Sequence, residues 1–313
     1  MKTRLRLAAV VAAGLVVVCA NVGAQTIELA PDSSIVFVRV SRMESVPGVS
    51  WLSGSWKGAD RESPLRDLLS GVRHTEATVA VLPAGDPGEQ RILMVLETPS
   101  PPGRAALVEM VTAEGGTAND SAVGGVTVTS VDEPGPGVDF AAFAVSESRV
   151  LLGSDAEAVR IALEGQSVTG SAGYAQMSTL VNAENDGLLF ADNENNRFAQ
   201  FLEPLEQKWQ MSLLLSAGDL EWMASGFDVL DSNRVAGTIV FQGRAESAVP
   251  DIADDAEFLG ETFRRKFAAE KIDYTSTVST DGTLVTLDFE VEGLEPLWLR
   301  LFEDGVLSLI RRE

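Results

Sequence analysis

The residues most able to do chemistry are scarce in this chain, which has one histidine (His74) and one cysteine (Cys19) among 313 residues. A serine or cysteine nucleophile with a histidine base would have to use His74. That residue falls between an apolar stripe at Leu65–Val72 and a β run starting at Ala77, where a surface loop histidine is the simpler reading. No Gly-x-Ser-x-Gly elbow and no Ser-x-x-Lys pair occurs. A tetrahedral zinc site has too few sulfur and imidazole ligands to form. Gly115-Gly116 and Gly124-Gly125 lack the spacing of a phosphate-cradling loop.

Carboxylates are abundant instead, with 46 Asp and Glu against 24 Lys and Arg and a net charge of −22. Asp192, Glu194 and Asn196 alternate, with Glu203 further on, in imitation of a calcium-binding EF-hand loop. Arg197 stands where such a loop needs glycine, and the next residues already read as helix, so no metal ligand is assigned there. Asp251, Asp254, Asp255 and Glu257 read as the negative first turns of a helix, favoured by its dipole. A carboxylate pair for glycoside hydrolysis is conceivable in so acidic a chain, but no pair is singled out. No catalytic, cofactor-binding or metal-ligating residue, and no cofactor, is therefore expected. The charge opposes binding to nucleic acid and to anionic lipid.

Residues 1–24 have the form of a signal peptide. Lys2, Arg4 and Arg6 precede the apolar run Leu7–Ala20, and Val22 and Ala24 occupy the small-residue positions read by a signal peptidase. The apolar run is shorter than the ~20 residues that span a bilayer. Cleavage after Ala24 predicts a periplasmic or extracellular protein with no transmembrane span and no cysteine. Lipidation of Cys19 is the alternative, although Val18 is bulky for a lipoprotein signal.

Local patterns supply the elements that would hold any site. Leu29–Val40 reads as a Pro-Asp-Ser-Ser turn followed by a strand, and Leu188–Ala191 after Asp186-Gly187 reads as its counterpart. Strand pairs are expected at Ala77–Leu82 with Ile92–Leu96, at Val126–Val131 with Phe140–Val145, at Trp222–Leu230 with Val235–Phe241, and at Ile272–Val278 with Leu284–Val291. Asp281-Gly282 is the clearest tight-hairpin signal among them. Helical stripes run through Leu65–Val72, Ala106–Val111, Ala156–Leu163, Phe198–Trp209 (with Pro204 as a potential kink), Asp251–Phe267 and Leu294–Leu301. Ser154-Asp155 offers an N-cap for the third.

Each half thus reads as strand, helix, strand pair, helix, strand pair, helix. The chain is expected to be α+β: two similar units, each a mostly antiparallel sheet with helices packed on it, at 25–165 and 173–313, joined by a small polar linker at 166–172. The opening Leu29-Ala30-Pro31-Asp32-Ser33 into Val36-Phe37-Val38-Arg39-Val40, the stretch Arg149–Ala158 and Gly173-Tyr174-Ala175 together resemble a family of bacterial secreted proteins of unknown function. The mature chains of that family begin with a Leu-Pro-Ala-Asp-Thr-like turn and a strand. The resemblance implies a two-part exported α+β protein with no assigned chemistry.

The functional expectation is an exported soluble envelope protein that acts as a non-enzymatic binding or interaction module. Its partner would be another envelope protein or an apolar small molecule. A carrier with an apolar cavity between sheet and helices is the first alternative, and a carboxylate-dependent hydrolase is the second.

Overall fold

A computed structural model describes residues 26–41, 76–84, 89–134, 138, 140–182, 184–209, 214, 216–231 and 233–294. The proposed signal peptide, His74, the Leu65–Val72 stripe and the closing stripe beyond Leu294 lie outside these residues. The fold is α+β. Twelve strands form one antiparallel sheet, and five α-helices pack on it among the described residues.

The strands are β1 Val36–Ser41, β2 Glu76–Pro83, β3 Gln90–Glu97, β4 Thr117–Val123, β5 Val126–Asp132, β6 Ala142–Val145 and β7 Arg149–Gly153. They continue as β8 Gly187–Asp192, β9 Leu220–Asp231, β10 Arg234–Gly243, β11 Asp273–Asp281 and β12 Leu284–Glu292. The helices are α1 Arg104–Ala113, α2 Ala156–Glu164, α3 Ala172–Leu180, α4 Arg197–Trp209 and α5 Val249–Ala269. Across the sheet the strands lie in the order β11-β12-β10-β9-β8-β1-β2-β3-β7-β6-β5-β4. The two opening strands meet at the centre, Val36 opposite Ala191 and Val40 opposite Gly187, so one sheet runs through both halves of the chain. Outward from this seam each half places its next two strands in sequence. The last strand then follows, and the strands before it come in reverse order.

Successive side chains of a strand point to opposite faces, and the register carries each face across the sheet. On one face Phe37, Ala80, Leu93, Leu188, Phe190 and Val240 belong to a core covered by Ala158 and Val159 of α2 and by Tyr174 and Met177 of α3. The Phe37 ring lies tilted at 5.8 Å from Phe190, which lies 6.2 Å from Trp222. The opposite face has two cores. One packs Leu107, Met110 and Val111 of α1 on Leu96, Val150, Leu152 and Phe143. The other packs Phe198, Phe201 and Leu202 of α4, with Ile252 and Ala256 of α5, on Val36, Val38, Leu189, Phe241 and Leu287.

Local chemistry explains the ends of these elements. Asp155 caps α2 by accepting from the Ala158 amide at 2.8 Å, and its other oxygen accepts from Arg91 Nε at 2.9 Å. Asn193 is fully buried ahead of α4. Its Oδ1 accepts from the Phe198 and Ala199 amides, and its Nδ2 donates to the carbonyls of Ala217 and Leu220. The β11–β12 turn has two loop residues, of which only Gly282 has positive φ, the pattern of a type II′ hairpin.

Three features depart from the patterns read in the sequence. The strand β4, TANDSAV, lacks apolar alternation, and it forms through a Gly124-Gly125 turn with both φ values positive. α3 is an additional helix whose Ser171 cap accepts from the Tyr174 amide at 3.2 Å. The 166–172 stretch packs closely on the chain start. Val168 is buried and donates its amide to Ala30 O at 2.7 Å, while Asp32 donates to Gln166 O at 2.8 Å.

Candidate functional site

Over part of its length the half-sheet β9–β12 has one largely apolar face and one polar face, while Trp222, Ala224 and Val240 on the second face belong to the core under α2 and α3. Ile239, Phe241, Val285, Leu287 and Phe289 face α4 and α5. The intervening residues form polar rows by register: Asp228, Ala236, Glu290 and Thr275 lie side by side, followed by Gly226, Thr238, Asp288 and Thr277. No described helix covers these rows, and Thr275, Thr277, Asp288 and Glu290 are exposed. They floor an open depression of about 450 Å³ that reaches Asn185 at its side.

Two of its three carboxylates have partners within the sheet. Asp288 Oδ1 accepts from Thr238 Oγ1 at 2.6 Å. Asp228 Oδ1 accepts from the Asp186 amide at 3.1 Å, and Asp186 Oδ2 accepts from the Val229 amide at 2.9 Å. Such a surface presents acceptors and hydroxyls in a fixed two-dimensional array, suited to hydrogen-bonding and cationic groups. It is open to solvent, so it lacks the water-excluded environment in which a catalytic carboxylate gains most of its power.

The carboxylates singled out in the sequence lie elsewhere. Asp192 and Glu194 are both bridged by Arg197, the latter at 3.1 Å. Asn195 and Asn196 have positive φ values of 55° and 60° as the chain turns into α4. The EF-hand imitation is therefore a helix-entry turn in which the arginine takes the carboxylates. In α5, Asp251, Asp254 and Glu257 are exposed, but Asp255 is buried, so it is not part of a solvated charge cluster. It accepts from the Ser216 amide at 2.7 Å and from Ser216 Oγ at 2.6 Å, tying α5 to the segment before β9. Among the described residues no group of three or more His, Cys, Asp or Glu is placed to hold a metal ion.

A second concentration of charge is buried beside the β1–β8 seam, with groups from both halves. Arg39 and Glu76 are each about 1% exposed, on the neighbouring strands β1 and β2. Arg39 Nη2 donates to Asn185 O at 2.8 Å, while its Nε and Nη1 have no partner among the described residues. Burial lowers the Arg39 pKa, against the opposing pull of Glu76, Tyr174 and Asp186. Glu76 Oε1 accepts from the Thr26 amide at 2.6 Å and from the Thr26 hydroxyl, which also bonds Thr78. Burial likewise raises the Tyr174 pKa. Glu97 is raised by burial in spite of Arg149, with Glu76 and Glu28 adding to the shift. Arg39 and Glu76 are both buried among the described residues, which fits a structural polar core. Its one sequence signal was Arg39 itself, a charge inside an otherwise apolar strand.

A scan with protein-family models, a search of curated proteins and a search of solved structures each return no match. Among the described residues no helix is long and apolar enough to cross a membrane.

Proposed function

We infer that the chain is an exported, non-enzymatic binding module that engages its partner through the polar face of β9–β12. The observation that carries this reading is a regular array of exposed Thr, Asp and Glu, its Asp288 fixed by Thr238, over which no described helix lies. An apolar carrier calls for an enclosed, apolar cavity, whereas this depression is open and floored by Thr238, Asp288 and Glu290. A hydrolase calls for carboxylates free to move protons, whereas Asp228 and Asp288 serve as acceptors within the sheet.

The same proposal takes residues 1–24 as the export signal, and the intact mass of exported protein should then begin at Gln25. It takes the two halves as a doubled unit, supported by their matching order of strands about the β1–β8 seam. It also places the chain beside the secreted family that opens on a Leu-Pro-Ala-Asp-Thr-like turn.

The test of the binding face is site-specific photo-crosslinking in the producing cells. A crosslinker at Thr277 should give a discrete adduct, and one at Glu261 on the exposed side of α5 should not. The adduct should disappear when Asp288→Asn and Glu290→Gln are combined. No adduct from Thr277 would overturn the reading.

A further inference from the structure

The polar face ends at β11, which has no second neighbour among the described residues. Its nine residues pair with β12 without a register shift, and they contain no proline, lysine or bulge of the kind that blunts an exposed edge. The two-residue loop makes Asp281 and Leu284 a hydrogen-bonded pair, and pairing alternates from there. The main-chain N–H and C=O groups of Tyr274, Ser276, Val278 and Thr280 therefore point away from β12, toward the open edge. α5 supports this strand from behind: Gly260 lets the helix approach Ser276, and Tyr274 stacks at 5.7 Å on Phe267.

Charge determines which chain this edge accepts. A second copy pairing antiparallel about Thr277 would set Asp273 against Asp281 at both ends of the new ladder, and like charges directly opposite destabilise a sheet. The neighbouring face adds Asp288 and Glu290, and the whole chain carries −22, which attracts cations and repels its own kind. We propose that β11 is a strand-addition site for an extended cationic segment of another protein. That segment would carry Lys or Arg where it meets Asp273 and Asp281. Main-chain hydrogen bonds along the edge would supply affinity, and alternate basic side chains lying over the acidic face would supply specificity. This deepens the binding-face reading and rests on it.

The probe is a blocked nonapeptide of alternating Thr and Val with Lys at both ends, beside the same peptide with Glu at both ends. The Lys-ended peptide should slow amide exchange at Tyr274, Ser276, Val278 and Thr280, and the Glu-ended peptide should not. Thr280→Pro removes one outward N–H from an exposed edge position and should weaken binding roughly tenfold, whereas Thr280→Ala should bind like the parent. The same Lys-ended peptide N-methylated on alternate amides tests the ladder with the protein intact. One methylation pattern should abolish binding and the other should leave it.

Lys-peptide binding that perturbs Asp228, Asp288 and Glu290 but gives no edge protection, and that ignores Thr280→Pro, would overturn strand addition while leaving the binding face standing. Edge protection that grows with protein concentration alone, together with a dimer in sedimentation, would assign the edge to a second copy. No binding of either peptide at millimolar concentration, together with no adduct from Thr277, would overturn both.

Discussion

The same face of the same sheet is treated oppositely on its two sides. Over β1–β3 and β5–β8 it carries Phe37, Leu93, Leu151 and Phe190, and α2 and α3 seal it. Beyond Trp222, Ala224 and Val240, which still belong to that core, β9–β12 carry Asp228, Thr238, Asp288 and Thr277 on it, and no described helix covers these. On each side of the seam two strands follow in sequence and the remaining ones in reverse order, yet the described helices cover this face on one side and leave the polar rows of the other without a lid. The alternate positions of each strand account for the difference: apolar residues there require a helix lid, and Thr, Asp and Glu require water or a partner.

Substitutions can break that contrast or sharpen it. Trp222, 2% exposed where the sealed region meets the open one, should show the largest effect. Trp222→Ala removes a buried indole and should cost about 4 kcal/mol in denaturant unfolding. Glu76→Ala comes next. It strips the Thr26 amide and hydroxyl of their acceptor and takes away a carboxylate that acts on the buried Arg39 guanidinium, for a loss of about 3 kcal/mol. Gly260→Ala should cost about 1 kcal/mol, because the new Cβ falls 2.7 Å from Ser276 Oγ. Ser276→Ala in the same chain should recover most of that loss, and a double-mutant cycle measures the coupling.

A smaller effect is expected in the pH dependence. Glu97 has a folded pKa above its ordinary value of 4.5, so its contribution is complete below that pH and is lost as pH rises through the folded value. Glu97→Gln should therefore flatten the stability curve just above pH 4.5, as read by urea melts across the acid range. The smallest change belongs to the open face. Thr277→Val should shift stability by less than about 0.5 kcal/mol, in keeping with a surface position. A loss on the scale of Trp222→Ala would show that this face is packed after all.

Much of the scaffold was legible because it is written in local alternation. Leu284–Val291, with Asp281-Gly282 before it, could be read as a hairpin with one apolar face, and Ser154-Asp155 as a cap. The strand β4 could not, since TANDSAV is held by its partner and by the Gly124-Gly125 turn, with no buried stripe of its own. The polar core was nearly invisible. Arg39, Glu76 and Asp186 are far apart in sequence, and only strand pairing and the turn after α3 bring them together. The polar face had a visible half: the alternation of Thr275, Thr277, Asp288 and Glu290 was there to read. That no described helix lies over it depends on where α2, α3, α4 and α5 pack, which is a property of the assembled sheet.

The seam between β1 and β8 has a kinetic consequence. Val36–Val40 cannot finish its ladder until Gly187–Ala191 has arrived. The centre of the sheet is thus its most non-local contact, closing a loop of roughly 150 residues at an entropic cost that grows only slowly with length. Folding is expected to be slow for the chain's size, in line with its high contact order. Until the second half joins, the inner edge of β1 is as exposed to stray pairing as the outer edge of β11. A chain that emerges from its N-terminus carries that open edge for half its synthesis, so a holding chaperone should speed its recovery more than it would for a sheet built from neighbouring hairpins.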